Sequence, residues 1–367
     1  MTLITPELKR RAQISKGWIL PITAIACFGL TEVAARNPNL TESWYSKGIY
    51  PFVARVASTI SSVIPLSVDD LFYIALLLYI PAMIVLLTLR KISFRLAGKL
   101  ILNILATGYI AFYLLWGFNY YREDLNARLN ITPQQPGKQT FLELTTKLID
   151  QTNRNHCTLE DLSAGKADSL VEFSYQQLAR ALQFEYPMGK RKDKSITFSH
   201  FFAQSGISGY FGPFFNEVHV NKKVLPIEYP VILAHEKAHQ LGVTSEAEAN
   251  FYAWLVCSQS DSKQLNYAAD LYILRHFLRQ AYQLKEYPEL SAKISPQVKD
   301  DFNRIRQHWM ELRNEKLDQA ASTVNNAYLK TNKVEAGIQD YSGVVKLVLD
   351  FSLDSAFQKS HSFKLPE

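Results

Sequence analysis

The chain has 367 residues, a formal net charge of +6 and 47% hydrophobic residues, which is enough sequence for one large or two ordinary domains. Its 15 Gly and 15 Pro exclude a low-complexity, disordered class. The basic residues form no stripe interleaved with aromatic side chains, so we expect no nucleic-acid partner. The three cysteines provide neither a disulfide framework nor a C-x-x-C metal pair.

Apolar segments dominate the first 120 residues or so and predict three transmembrane helices, at about 18–35, 71–89 and 100–118. The second segment carries no charge and is long enough to cross a hydrocarbon core of about 30 Å. The first could instead be a signal peptide, but it is long for one and lacks a good cleavage site. We therefore expect it to be retained, with the lipid bilayer as a partner.

Two further features predict contact with the membrane surface. Residues 53–64 are amphipathic, which is typical of a helix lying along the interface. The third segment ends in a group of aromatic residues that resembles an interfacial belt. This group consists of Trp116, Phe118, Tyr120 and Tyr121.

Basic residues predict the orientation in the membrane. The N-terminal tail contains Lys9, Arg10, Arg11 and Lys16, and the segment 90–99 has four basic residues and no acid. The positive-inside rule places both in the cytoplasm. We expect a multi-pass membrane protein whose N-terminus is cytoplasmic and whose C-terminal domain is extracytoplasmic.

The chain is predicted to divide into a membrane region, 1–122, and a soluble domain, 123–367. The soluble domain is expected to be mainly α, with a small sheet from residues 195–199 and 214–221. Thr158–Asp161 resembles a capping box at a helix start. Helical spacing predicts helices over 140–153, 158–183, 246–286, 295–331 and 341–357.

His235, Glu236 and His239 form an H-E-x-x-H motif. On a helix the two histidines share one face and can bind one Zn²⁺ ion, while Glu236 can reach a water on that metal and act as general base. The structural alternative is a solvated amphipathic helix that carries two histidines without a metal. The sequence that follows favours the zinc site.

A zinc hydrolase site usually has a third protein ligand. Gly242 is suited to end the motif helix and Ser245 to cap the next one, which would return the chain to the metal. Glu246 is the preferred third ligand, with Asn250 one turn later orienting a ligand. Glu248 is the alternative ligand; otherwise it is a carboxylate favourably placed at a helix N-terminus.

Other residues receive weaker predictions. Phe214–Asn221 is expected to be an edge strand that pairs with a peptide substrate, which involves Phe215, Glu217 and His219; the alternative is an ordinary strand covering the motif helix. Tyr341 is a candidate oxyanion donor or, alternatively, a packing residue. Lys237 points away from the metal and predicts a partly wet helix face or a paired ammonium group.

The block His-Glu-Lys-Ala-His-Gln-Leu-Gly and the following Ser-Glu-Ala-Glu-Ala-Asn-Phe resemble an uncharacterised bacterial family of membrane proteins. The stretch Gly209–Asn221 and the late segments beginning at Tyr328 and Tyr341 are similar to it as well. The resemblance implies a three-helix membrane region joined to a gluzincin-type metallopeptidase fold. It implies a place in the bacterial inner (cytoplasmic) membrane, but no substrate. The spacing Glu246-x-x-x-Asn250 is also similar to the third-ligand segment of zinc peptidases that cleave bacterial repressors.

The expected function is therefore a membrane-anchored zinc metallopeptidase that hydrolyses peptide or protein substrates outside the cytoplasm. An intramembrane protease is disfavoured, because Pro226 and Pro230 precede the motif and no long apolar span contains it. The alternative from another class is a non-catalytic zincin-fold binding or scaffold protein of the cell envelope. The sequence leaves the oligomeric state open.

Overall fold

A computed structural model describes residues 16–361 and 363–365. The basic residues Lys9, Arg10 and Arg11, on which the predicted orientation partly depends, lie outside this part. After a 3-10 helix at Lys16–Trp18, the described part continues with the α-helices α1 (Ile19–Ala35), α2 (Pro38–Leu40), α3 (Tyr50–Val63), α4 (Val68–Thr88) and α5 (Phe94–Leu115). A π-helix at Thr41–Ile49 leads into α3, and a 3-10 helix at Gly117–Tyr121 follows α5.

The rest of the described chain forms twelve further α-helices and a small sheet. The helices are α6 (Leu125–Leu129), α7 (Lys138–Asn155), α8 (Ala164–Leu178), α9 (Ser199–Gln204), α10 (Tyr229–Gln240), α11 (Glu246–Ser258), α12 (Lys263–Ala281), α13 (Tyr287–Lys293), α14 (Pro296–Leu312), α15 (Glu315–Thr331), α16 (Val344–Leu353) and α17 (Ser355–His361). A 3-10 helix at Gly337–Gly343 precedes α16. The strands are β1 (Lys194–Ser195), β2 (Gly209–Gly212) and β3 (Glu217–Val220).

Within the described residues, α4 and α5 are long and apolar enough to cross a membrane, and α1 is a third candidate together with the segment Pro38–Val63. That pair is bent by 107°. The second predicted span begins earlier than expected, because Ser67 caps the helix by accepting a hydrogen bond from the Asp70 amide. Asp69 therefore lies in the first turn of α4 rather than in a loop.

The prediction of an aromatic belt at the membrane interface is wrong. Trp116, Phe118 and Tyr121 are buried inside the protein, where they pack with Tyr45 and Tyr50. The reason is that the chain turns at the end of α5 into a 3-10 helix, which brings these rings into one buried cluster with residues of α1, α3 and α5. They join the two parts of the protein instead of anchoring it in lipid.

Several predicted helices are shorter in the structure, because polar caps interrupt them. The hydroxyl of Ser163, not Thr158, caps α8. The predicted helix 246–286 is divided into α11 and α12, and the Ser262 hydroxyl caps α12. Asn314 likewise separates α14 from α15 by accepting hydrogen bonds from the first amides of α15. The side chains of these capping residues accept hydrogen bonds from backbone amides at the start of a helix. Each of these positions therefore marks where a new helix begins.

The sheet has the order β1-β3-β2, so β3 is central. It runs parallel to β1, with Lys194 opposite His219, and antiparallel to β2, with Tyr210 opposite His219. The sheet packs against α10 through β2 and β3. It therefore forms one wall beside the motif helix.

The centre of the helical domain is α11, in which every residue is buried. Its sequence is apolar around most of the circumference, which is the pattern of a helix enclosed by others. Helices α8, α10, α12 and α16 surround it. The first turn of α11 is thereby held rigidly against the end of α10.

Replacing Leu255→Ala should lower the free energy of unfolding by about 2–5 kcal/mol, because it leaves a cavity at a fully buried position of α11. Leu353→Ala is the matched control, since Leu353 is exposed. Denaturant unfolding of both full-length variants in detergent micelles measures the difference. Equal losses would contradict the position of α11 at the centre of the core.

Candidate metal centre

The turn after α10 has the geometry that the sequence predicts for Gly242. This glycine has a φ of 86°, and the amides of Gly242 and Val243 bond back to the carbonyls of His239 and Ala238. Such a left-handed C-cap favours glycine. The returned Val243 carbonyl lies 2.7 Å from Nδ1 of His239. When Nδ1 donates this hydrogen bond, the Nε2 lone pair of His239 is left for a metal.

The start of α11 is held by a cap with two acceptors. As predicted, the Ser245 hydroxyl accepts a hydrogen bond from the Glu248 amide. Asp340 adds a second acceptor, because its Oδ2 lies 2.9 Å from the Ser245 hydroxyl and 2.7 Å from the Glu246 amide. Sequence reasoning missed Asp340, since nothing in its neighbourhood signals a partner so far away in the chain. The cap orients the first turn of α11.

Three side chains meet between these two helices. His235 Nε2 and His239 Nε2 are 3.1 Å apart, and Glu246 Oε2 lies 3.2 Å and 3.5 Å from them. Ligand atoms at about 2.0–2.1 Å from a tetrahedral zinc are about 3.3–3.4 Å apart. The triangle of donor atoms therefore fits a zinc ion, and the two-nitrogen, one-oxygen set suits its chemistry.

The charges of these three side chains favour a cation between them. Burial alone would raise the pKa of Glu246, but the two imidazoles lower it well below its usual range. Burial alone would lower the pKa of His239, but the Glu246 carboxylate raises it to about 9. A carboxylate that faces two imidazole nitrogens stabilises positive charge between them, whether a proton or a metal carries it.

Glu236 is buried next to this triangle and faces the sheet. A Cβ atom at Gly209 would lie 2.7 Å from Glu236 Oε1, so the absence of a side chain at Gly209 makes room for the carboxylate. Burial raises the pKa of Glu236, and the charges of His235 and His239 oppose that shift. A carboxylate with a raised pKa is a better general base near neutral pH.

Glu248 faces away from the triangle. It forms a buried ion pair with Arg128 and accepts a hydrogen bond from the Leu125 amide at 2.8 Å. Glu246 and Glu248 lie on different faces of α11, as two residues at this spacing must on a helix. Glu248 thus holds α6 against α11, and Glu246 is the carboxylate beside the two histidines.

Asn250 has different partners from those expected. Its Oδ1 accepts a hydrogen bond of 2.6 Å from the Tyr272 hydroxyl, and its amide donates to the carbonyl of Tyr341 at 3.3 Å. It therefore holds the 3-10 segment that carries Tyr341 instead of orienting a histidine. The Tyr341 hydroxyl accepts a hydrogen bond of 3.3 Å from Asn325, and both burial and the Glu246 charge raise its pKa. Tyr341 lies beside the triangle as a protonated phenol.

The prediction that residues 214–221 form an edge strand for a peptide substrate is wrong. Phe215 lies in a turn, while Glu217 and His219 belong to β3, which is paired on both sides and offers no free edge. The alternation of residues 214–221 indicates a strand but not its position in a sheet. The edge strand beside Glu236 is β2. The sequence analysis did not identify it as a strand, because its sequence is rich in glycine.

His219 and Glu217 have a structural role at the start of α4. His219 Nε2 lies 2.7 Å from the Ser67 hydroxyl, and the ring of His219 stacks on Tyr210 with centroids 4.2 Å apart. Glu217 pairs with Lys194 and accepts hydrogen bonds from the first amides of α4. This polar cluster joins the central strand to α4, which is long and apolar enough to cross a membrane.

Residues next to the apolar helices also hold the motif helix directly. The indole of Trp116 donates to the His239 carbonyl at 2.9 Å, and the Tyr50 hydroxyl donates to the Gln240 carbonyl at 2.8 Å. Arg122 donates to the Gly242 carbonyl at 2.9 Å while pairing with Glu42. Sequence reasoning missed these contacts, because aromatic residues next to apolar segments are typical of lipid belts.

Lys237 is fully buried and its ammonium group is ion-paired, which is one of the two predicted alternatives. Its ammonium lies 2.5 Å from Glu172 and 2.8 Å from Asp168, both on α8. Arg191 also contacts Glu172 at 2.9 Å. Burial would raise the pKa of Glu172, but Lys237 and Arg191 lower it to about 2. The ion cluster fastens the back of the motif helix to α8.

A family profile described as "Protein of unknown function (DUF3810)" matches residues 45–349 of this chain. The chain belongs to this family. The matched range contains the two apolar helices α4 and α5 and all the residues of the candidate metal centre. The predicted membership of an uncharacterised family is thus confirmed, and the described residues contain helices that could cross a membrane, whereas the zincin-like domain stays a prediction. No curated protein and no solved structure matches this family member.

Replacing Glu172→Gln should lower the free energy of unfolding by about 3–5 kcal/mol, because buried Arg191 loses its carboxylate partner and buried Lys237 keeps only Asp168. The matched control is Glu160→Gln, which breaks an exposed pair with Arg304 and should cost about 0–1 kcal/mol. Chemical denaturation of the full-length variants measures both. Similar small effects would show that Lys237 is not held by this ion cluster.

Proposed function

We propose that this protein is a membrane-anchored zinc metallopeptidase. The observation that supports it most is the triangle of His235 Nε2, His239 Nε2 and Glu246 Oε2, with all pairs within 4.8 Å. Among the described residues, it is the group of histidine, cysteine or acidic side chains whose ligand atoms lie close enough together to hold one metal ion. Glu236, the general base of the H-E-x-x-H motif, is buried beside it.

In this proposal His235, His239 and Glu246 would hold a zinc ion, which would supply Lewis acidity and lower the pKa of a water at the site. The Glu236 carboxylate would accept a proton from the attacking water and later donate it to the leaving amine. The Tyr341 hydroxyl donates a hydrogen bond to the oxyanion that develops at the scissile carbonyl. Asp340 and Val243 keep two of the ligands in position.

A peptide substrate is proposed to bind in extended form along β2. This strand lies on one edge of the described sheet and passes Glu236 at Gly209. Backbone pairing to an edge strand provides affinity without a particular side-chain sequence. The same proposal places the domain outside the cytoplasm, on the basis of the basic residues in the segment 90–99.

The two carboxylates of α11 give a matched test of the metal site. Glu246→Gln should remove most bound zinc, because it takes away one of three ligands. Glu248→Gln should leave zinc per folded molecule unchanged but lower stability by about 3–5 kcal/mol, because Arg128 loses its buried partner. Metal analysis by mass spectrometry and thermal unfolding of the purified full-length variants measure both. Zinc loss in Glu248→Gln alone would reverse the ligand assignment.

Catalysis is tested separately from metal binding. Glu236→Gln should retain zinc and lower the rate of peptide hydrolysis by roughly 10²–10⁴-fold, because the general base is lost. Glu311→Gln, at an exposed position of α14, should match the wild type. A quenched fluorescent library of random soluble peptides provides the assay. Zinc binding with no effect of Glu236→Gln on turnover would favour the non-catalytic scaffold.

A further inference from the structure

The edge strand β2 links the candidate active site to the membrane. Its first residue, Gly209, adjoins Glu236, and a side chain at its last residue, Gly212, would collide with Asp69 in the first turn of α4. An extended strand rises about 3.4 Å per residue, so three steps cover only about 10 Å. The general base therefore lies about 10 Å from the start of a helix that can cross the membrane.

The other two apolar helices, α1 and α5, also have one end on the side of the candidate active site. The residue directly after α5 is Trp116, which donates a hydrogen bond to His239. The end of α1 packs near it, because Ala34 and Ala35 belong to the same cluster as Trp116. One end of each of α1, α4 and α5 thus lies on the same side as the motif helix, with α5 beside His239, α1 beside Trp116 and α4 at the end of β2. The opposite ends of α1 and α5 meet where the Asn103 side-chain amide donates to the Gly17 carbonyl at 3.2 Å.

Helix α3 indicates where the bilayer surface runs. The segment containing it is bent by 107° from α1, so it lies close to the membrane plane if α1 crosses the membrane. One face of α3 packs on the protein through Tyr50, Ala54 and Ser58. The other face is apolar, exposed and continuous over the helix. Its residues are Ile49, Phe52, Val56, Ile60 and Val63.

An apolar stripe of this kind is buried when an amphipathic helix lies in the headgroup region. The bilayer is the occupant that fits it, because only residues 64–67 separate α3 from α4, whose own surface is exposed and apolar. Tyr50 on the opposite face donates to the Gln240 carbonyl of the motif helix. A membrane-bound α3 would thereby hold the active site at the lipid surface.

We infer that the substrate is a membrane-attached polypeptide, cut in an extended segment within a few residues of its membrane anchor. This inference rests on the proposed peptidase function. The headgroup layer is about 5–8 Å thick on each side, so a scissile bond about 10 Å from the hydrocarbon edge is reached by roughly three extended residues. Folded domains far from the bilayer do not reach a site held at this height.

Depth measurements test the position of α3 without reference to activity. Full-length protein with Cys157→Ser, carrying either Phe52→Cys or Ile60→Cys, is labelled with bimane and reconstituted in liposomes of phosphatidylglycerol and phosphatidylethanolamine. Quenching by lipids spin-labelled near the headgroup, with protection from aqueous iodide, is the expected result. Gln280→Cys, exposed on α12, is the control and should show the reverse. Iodide access at positions 52 and 60 equal to that at 280 would overturn the inference.

Cleavage rates test the substrate class. The random peptide library is presented to the reconstituted protein in three forms: soluble, or attached to a palmitoylated lipid anchor through flexible spacers of about 4 or about 40 residues. Both anchored forms are equally enriched at the membrane, so their difference reports only distance from the bilayer. We expect the short spacer to be cleaved at least about tenfold faster than the long one.

The outcomes separate the two proposals. Equal cleavage of the two anchored forms would overturn the substrate class and leave the peptidase function standing. Absence of cleavage of every form, in protein that contains zinc, would remove both. Cleavage of the short-spacer form that disappears in Glu236→Gln would support the two together.

Discussion

The Glu246 carboxylate between two imidazole nitrogens is the interaction on which the architecture depends. It requires the end of α10 and the start of α11 to approach within a few ångströms, and Gly242 permits this by its left-handed backbone. The rest of the domain keeps that approach rigid. Helices α8, α12 and α16 enclose α11, and Asp340 caps its first turn.

Buried charge is arranged in pairs around this site. Lys237 with Glu172 holds the back of α10, and Arg128 with Glu248 holds the side of α11. Such pairs contribute little net stability compared with apolar residues, but they tolerate only one geometry, since an unpaired buried charge is costly. We infer that they contribute to the alignment of the two helices.

The N-terminal apolar part of the chain takes part in the candidate site. Trp116 and Tyr50 bond to backbone carbonyls of the motif helix, and Ser67 at the start of α4 contacts His219 of the central strand. Aromatic residues that follow apolar segments can therefore be interior residues. A boundary near residue 122 describes the composition of the chain but not its packing, because these contacts cross it.

The sequence alone determined the local features: the apolar segments, the H-E-x-x-H helix, the glycine turn after it and the serine cap of α11. Each depends on residues within a few positions of one another, where helix periodicity and capping chemistry decide the outcome. Only the tertiary structure decided that Glu246 and not Glu248 faces the histidines, that β3 is central, and that Asp340 and Trp116 hold the site. These contacts join residues far apart in the chain, and neither spacing nor composition specifies which distant partner a side chain meets.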